Sequence, residues 1–206
     1  MPIKNQKHIL GSGNKNYQTA HKRILQEIPG KRDLDSKKII MAEIIKTQDS
    51  RRIFIDTLIG LAEKDDKIVL IVPDVGFNYI EEFQKRFPNR YFNLGVTEQS
   101  TIMIAVGLAL SGFKPYVYSM INFVLFRPAE MVRNGIVGHN ANVKLIGVKG
   151  SEKYKFLGFS HNLLHEDEDI EFCRNIGLGW LKPTENDVRH AIFNSYQTNE
   201  PTYIRI

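Results

Sequence analysis

The sequence predicts an α/β fold, a mostly parallel sheet with helices on both faces, and three observations carry that expectation. Lys67–Val72 reads KIVLIV, an almost unbroken apolar and β-branched run, as expected of a strand covered on both sides. Short hydrophobic runs then alternate with segments of helical spacing as far as Ile206, the rhythm of parallel strands joined by crossover helices. Finally, Glu98–Leu110 is apolar nearly all round (Ile102, Met103, Ile104, Ala105, Val106, Leu108, Leu110), which predicts a helix inside the protein, closed by Gly112.

The elements follow in order. Residues 1–30 lack apolar periodicity, and Gly11-Ser12-Gly13-Asn14-Lys15 is too short and isolated for a dinucleotide loop. Residues 1–50 are therefore read as a basic N-terminal extension, flexible or packed on a partner, with a helix over 36–45, and residues 51–206 as the domain. Ile53, Phe54, Thr57, Leu58 and Leu61 fall at helical spacing and predict a helix over 51–64, broken by Asp65-Asp66. The strand 67–72 ends at Pro73-Asp74. Helices are expected over 79–87, 98–110, 128–135, 169–175 and 185–196, and strands over 90–94, 114–119, 142–148, 180–182 and 202–206.

Composition bounds the function. With 42% hydrophobic and 25% charged residues the chain is neither disordered nor collagen-like. A single cysteine forms no intramolecular disulfide, and no apolar run reaches the roughly 18 residues of a membrane span. Met1–Lys7 carries lysines without an apolar stretch behind them, so no secretory signal is expected. A reducing, cytoplasmic setting follows. The formal charge of +5 is local: residues 1–52 hold 12 Lys and Arg against 5 Asp and Glu, while the remaining 154 hold 16 against 18. Such an arm steers anionic partners or packs on another chain. Without zinc spacing, a P-loop or an aromatic-basic RNA signature beside it, a nucleic-acid partner is not expected.

In parallel sheets the ligand crevice lies at the carboxyl ends of the strands, here Pro73–Asn78, Gly95–Gln99, Tyr118–Arg127 and Lys149–His165. Glu98 stands out because the sequence Asn93-Leu94-Gly95-Val96-Thr97 delivers a carboxylate to the first turn of an otherwise apolar helix. It is placed either to exchange a proton with a ligand or to complement the helix dipole near Thr97. Asp74 reaches over the sheet edge or simply follows Pro73 in a turn. Met120, Phe123 and Phe126 recur every three residues, as an apolar wall for a planar ring or as plain core. His161 and His165 lack zinc-ligand spacing and read as surface histidines. The acidic run Glu166–Asp169 reads as a solvated helix start, and Cys173 as a small buried hydrophobe.

The ordered set Arg90-Tyr91-Phe92-Asn93-Leu94-Gly95-Val96-Thr97-Glu98-Gln99, followed by Ile104-Ala105-Val106-Gly107-Leu108-Ala109-Leu110-Ser111-Gly112-Phe113-Lys114-Pro115-Tyr116, resembles the pyrimidine-binding domain of transketolases. Deoxyxylulose-phosphate synthases and the beta subunits of 2-oxo acid dehydrogenases share that domain. The likeness runs from about Arg51 to Ile206. It implies the thiamine diphosphate-binding (pyrimidine domain) fold and that cofactor with Mg²⁺. It also implies that Glu98 matches the glutamate bonded to N1′ of the aminopyrimidine, where proton sharing favours the imino form of the exocyclic amine, the base that activates the thiazolium. On the same resemblance Phe123 and Phe126 match ring-stacking aromatics, Met120 a third aromatic position, and Asp74 an acidic residue close to the cofactor. Arg51 and Asn78 match a pair that contacts the sugar phosphate, and His161 matches a catalytic, substrate-binding histidine.

The sequence also departs from the pattern. Leu157-Gly158 replaces an Asp-Gly, Lys149 replaces a histidine, and about three extra residues precede Glu168-Asp169-Ile170, so the ordinary pentose phosphates are not the expected substrates. No Gly-Asp-Gly with a downstream Asn is present, the motif by which such enzymes hold diphosphate and Mg²⁺. The resemblance therefore implies a split transketolase-like transferase of carbohydrate metabolism, moving a two-carbon ketol unit between sugars. A second subunit would carry the diphosphate-binding domain, in a dimer of heterodimers or on a homodimer of this chain. The alternatives are a beta-like subunit of a 2-oxo acid decarboxylase or dehydrogenase, and a degenerate non-catalytic partner domain.

Overall fold

A computed structural model describes residues 49–150 and 152–206. The helix expected over 36–45, and nearly all of the basic extension, lie outside the described residues. Six strands form one sheet in the order β2-β1-β3-β4-β6-β5, where β1 is Ile68–Val72, β2 Tyr91–Asn93, β3 Lys114–Met120, β4 Lys144–Val148, β5 Gly179–Leu181 and β6 Thr202–Arg205. Every neighbouring pair is parallel. Six α-helices connect them among the described residues: α1 (Ser50–Ala62), α2 (Glu81–Arg86), α3 (Glu98–Leu110), α4 (Ala129–Met131), α5 (Glu168–Ile176) and α6 (Val188–Tyr196).

The strand alternation divides the core into two layers. Ile68, Leu70 and Val72 of β1, Tyr116 and Tyr118 of β3, Ile146 of β4 and Ile204 of β6 pack against Phe54, Leu58 and Ile59 of α1 and Val188 and Ile192 of α6. Their neighbours Ile71, Val117, Leu145 and Tyr203 point the other way, toward Ile102 and Val106 of α3 and Ile170 and Cys173 of α5. Each fully buried side chain of this size contributes about 1.5 to 3 kcal/mol. The continuous apolar strands were needed because both faces are covered. Asp65 fastens the amino ends by accepting hydrogen bonds from Lys114 Nζ at 2.7 Å and the Tyr196 hydroxyl at 3.0 Å.

Four sequence expectations are corrected. Only part of α3 is inside: Thr101, Ile102, Ala105 and Val106 are buried, whereas Met103 and Ile104 are each 43% exposed and Leu110 is 61% exposed. The single helix expected over 128–135 is the short α4 flanked by wider π-helical segments, Asn122–Phe126 and Val132–Val137. Residues Glu152–Ser160, expected as open loop, make 3-10 turns on either side of Gly158.

The fourth correction concerns the acidic run, which is not simply solvated. Asp169 is fully buried and accepts from the Tyr203 hydroxyl at 2.5 Å and from Arg205 Nη1 at 2.9 Å. Gly147 makes that reach possible, since a Cβ there would lie 2.6 Å from the Tyr203 hydroxyl oxygen.

Candidate active site

The chain leaves β1 toward β2 on one side and leaves β3 toward β4 on the other, so the sheet's reversal point opens a crevice above the carboxyl ends of β1 and β3. The loop after β1 is tightly wound. Asp74, Gly76 and Asn78 all have positive φ (55°, 94° and 71°), a conformation costly for most residues and tolerated best by Gly, Asn and Asp. At Gly76 a Cβ would also lie 2.9 Å from the Tyr118 ring, so this loop can close over β3 only with glycine there. The Tyr118 hydroxyl is raised well above its ordinary range by burial.

Asn93, the last residue of β2, joins this loop to the next. Its Oδ1 accepts from the backbone N–H of Asp74 at 3.1 Å and of Gly95 at 3.0 Å, and its Nδ2 donates to Asp74 Oδ1 at 3.0 Å. The chain then turns through Gly95, at φ 70°, into α3. Thr97 does not cap the helix, because its hydroxyl donates back to the Leu94 carbonyl at 2.8 Å. Glu98 sends its carboxylate across to the next loop, where Oε1 accepts from Arg127 Nη1 at 2.6 Å. Its side chain is 11% exposed and that of Arg127 46%. Among the described residues, Oε2 has no hydrogen-bond partner.

Arg127 ends the π-helical turn that leaves β3, its N–H donating to the Asn122 carbonyl at 2.9 Å. The wider turn allows Phe123 and Arg127 to stack: the guanidinium carbon lies 4.0 Å from the Phe123 ring centre. Phe123, 9% exposed, meets the His161 ring edge-on at 4.9 Å and 80°. His161 Nδ1 is 2.8 Å from Ser160 Oγ. Asn122 holds this stretch in place by donating from Nδ2 to the Phe159 carbonyl at 3.0 Å. Glu98, Arg127, Phe123 and His161 thus form one connected cluster, drawn from three separate loops.

The other candidate residues lie elsewhere in varying degree. Phe126 turns into the core, its ring edge-on to Phe172 of α5 at 5.8 Å, and so does not share a wall with Phe123. Met120 ends β3, half-buried and paired with Val148. Arg51 grips Asp49, Nε to Oδ1 at 2.8 Å and Nη2 to Oδ2 at 2.5 Å, over the Tyr79 ring at 4.3 Å. Asn78 contributes backbone groups, its N–H donating to Glu81 Oε1 and its carbonyl accepting from Arg52 Nη2 at 2.6 Å.

A cavity of about 480 Å³, lined by Lys149, Gly150, Phe159, Asn162, His165 and Glu166 among others, lies beside the cluster and does not include Glu98. Among the described residues, no group of three or more His, Cys, Asp or Glu is placed to hold a metal ion.

Sequence reasoning missed Arg127, Asn93 and Asn122. Arg127 stands 29 residues from its carboxylate. Its only signal was its place at the end of the loop after β3.

The sequence matches the family described as transketolase, pyrimidine binding domain, over residues 46–206. It is 33% identical over 159 residues to one of the subunits of the apulose-4-phosphate transketolase of Phocaeicola vulgatus, covering 76% of this chain and 50% of that protein. It is 29% identical over 159 residues to 6-deoxy-6-sulfo-D-fructose transketolase subunit SqwH of a Clostridium species, covering 76% and 48%. It is also 33% identical over 162 residues to 1-deoxy-D-xylulose-5-phosphate synthase of Haemophilus influenzae, covering 75% and 24%. The chain thus spans about half the length, or less, of the curated relatives it matches. Among solved structures, a split gene transketolase described as an inactive beta4 tetramer superposes with a TM-score of 0.66 at 27% identity, over 76% of this chain and 50% of that one. With the matched segment covering the whole six-stranded sheet and the helices around it, the chain belongs to the transketolase pyrimidine-binding domain family, whose enzymes depend on thiamine diphosphate.

Proposed function

We propose that this chain is one subunit of a split transketolase-like enzyme that moves a two-carbon ketol unit between sugars, active only with a second subunit carrying the diphosphate-binding domain. The observation that carries the reading is the placement of Glu98: a carboxylate only 11% exposed, at the reversal-point crevice, linked through Arg127 to the face of Phe123. The donor set fits an aminopyrimidine, because Oε2 is an acceptor without a partner among the described residues and the Phe123 ring is a flat apolar neighbour. When bound, thiamine diphosphate supplies a nucleophilic carbon able to attack a ketose carbonyl. Glu98 holds a proton at the ring nitrogen N1′, Phe123 orients the ring, and His161, seated on Phe123, faces the substrate side. Asp74, tied to Asn93, sets the loop that leads to Glu98. Diphosphate and Mg²⁺ belong to the partner subunit in this reading.

Two further features support a partner. The relatives of Phocaeicola and Clostridium are each named as a subunit of a transketolase. The exposed side of α3 presents Met103, Ile104 and Leu110, and Phe77 and Val96 in the loops after β1 and β2 are exposed too, apolar surface of the kind that subunits cover. A dimer of such pairs, or a homodimer of this chain flanked by partners, is the expected assembly, in the cytoplasm. No helix of the described residues is long and apolar enough to cross a membrane.

A second reading, a beta-like subunit of a 2-oxo acid decarboxylating enzyme, has one observation in its favour. Arg51, the expected contact for a sugar phosphate, is already held by Asp49 along the Nε–Nη2 edge of its guanidinium. The experiment is reconstitution. This chain alone turns over nothing. With the diphosphate-binding subunit, thiamine diphosphate and Mg²⁺, ketose phosphates are consumed, and Glu98→Gln lowers that rate by about 100-fold or more. Consumption of pyruvate-type acids instead selects the second reading, and full activity of Glu98→Gln refutes the role given to Glu98.

A further inference from the structure

Arg127 touches both groups that the proposed function assigns to the cofactor ring. Its Nη1 donates to Glu98 Oε1 at 2.6 Å, and its planar guanidinium lies over the Phe123 ring at 4.0 Å. A guanidinium and a protonated aminopyrimidine share three features: a flat π-surface, in-plane N–H donors, and positive charge delocalised over nitrogen. Phe123 is 9% exposed, His161 meets it in a T-shaped contact, and Arg127 covers one of its faces. The same face cannot hold a second planar group.

We propose that Arg127 is a placeholder for the cofactor's pyrimidine: in the free chain it occupies the ring's stacking face and its proton-donor position, and it leaves both when the ring binds. This inference rests on the reading of Glu98 and Phe123 given above. The physical gain is a buried carboxylate that is never left unpaired, since an ionised group only 11% exposed without a partner costs several kcal/mol of desolvation. Arg127 is suited to the exchange because its own side chain is 46% exposed, so it swings into water with its solvation intact. Its contact adds a competing interaction that cofactor binding must break.

Two measurements test it. In the full chain alone, the Arg127 side-chain Nε–H resonance, assigned by its disappearance in Arg127→Gln, shifts when Glu98 is changed to Gln; an unmoved resonance overturns the placeholder. In the chain assembled with its diphosphate-binding subunit, calorimetric titration with thiamine diphosphate and Mg²⁺ compares wild type with Arg127→Gln. The variant binds roughly three- to tenfold tighter, because an ion pair whose guanidinium is half in solvent and a cation–π contact no longer compete. Equal or weaker binding overturns the proposal and makes Arg127 a cofactor or structural contact. Turnover of Glu98→Gln, measured in parallel, reports separately on the underlying reading: if it is lost, Glu98 keeps its role whatever Arg127 does, and if it is unchanged, the reading of Glu98 fails and the placeholder with it.

Discussion

Asn93 and Asp74 exchange two hydrogen bonds across the carboxyl ends of β2 and β1: the Asp74 N–H donates to Asn93 Oδ1 at 3.1 Å, and Asn93 Nδ2 donates to Asp74 Oδ1 at 3.0 Å. The same Oδ1 also holds the Gly95 N–H. The turn that launches α3, and Glu98 with it, is therefore referenced to the strand beside it rather than left to its own flexibility.

Replacing Asn93 by Ala removes all three bonds from a loop already strained by positive φ at Asp74. We expect a loss of about 1 to 2 kcal/mol in urea denaturation. In the reconstituted enzyme the same change lowers kcat more than it raises KM, because Glu98 loses its positioning. Asn93→Asp, which keeps the two acceptor bonds at Oδ1, should recover part of the stability, less whatever its charge beside Asp74 costs.

The Asp49–Arg51 clamp makes stability depend on pH at the acid end. Arg51, through its hydrogen bonds, holds the Asp49 carboxyl down at about 2, helped by the Tyr79 hydroxyl. The unfolded chain has the ordinary value near ~4. The folded state thus binds protons less readily, and the clamp's contribution is fully present above pH ~4 and is lost as pH falls toward ~2. Both side chains are about one-third exposed, which limits the contribution to about 1 kcal/mol. Asp49→Asn should remove that amount at pH 7 and flatten the acid limb of a stability-versus-pH curve followed by denaturant titration.

The buried trio Tyr203, Asp169 and Arg205 fastens α5 to β6. Asp169→Ala takes from the Arg205 guanidinium, 4% exposed, its buried counter-ion and leaves it only the exposed carboxylates of Glu166 and Asp167, while the Tyr203 hydroxyl loses its acceptor, and should cost about 2 to 4 kcal/mol in thermal or chemical denaturation. Asp169→Ala combined with Arg205→Met removes the guanidinium that has lost its buried partner and should cost less than Asp169→Ala alone, although it also gives up the pairs with Glu166 and Asp167. A double variant no better than the single one would show that the charge pairing is not what matters.

Cys173, on the buried side of α5, is fully buried, and burial raises its thiol to about 12. At pH 8 it is protonated and out of reach, so iodoacetamide should label the folded chain at least about 100-fold more slowly than the urea-unfolded chain, read by mass spectrometry. Labelling at comparable rates would mean that α5 opens readily from the sheet.

Gly147→Ala tests the packing that brings Tyr203 to Asp169. The new methyl would meet the Tyr203 hydroxyl oxygen at 2.6 Å, and that fully buried ring, held by its bond to Asp169, has little room to yield. A cost of about 1 to 3 kcal/mol in denaturation is expected, with Tyr203→Phe in the same background recovering part of it.

Local patterns in the chain were enough to specify the fold and the position of the central carboxylate. The apolar run Ile68–Val72 had to be a strand covered on both faces, and α3 was legible residue for residue because its apolar stretch is bounded by Thr97 and Gly112. These signals are set by periodicity and by backbone preferences within a few residues. Long-range packing settled what no local pattern encodes. It turned Phe126 into the core and Phe123 toward Arg127 and His161, because a π-helical turn advances side chains differently from the α-helical spacing that made them look alike. It buried Asp169 in a segment whose charge read as solvated, because Tyr203 and Arg205 supply the partners from β6, 34 and 36 residues away. It also brought Arg127 to Glu98, a pairing created only when two crossover connections return their strands to one sheet edge.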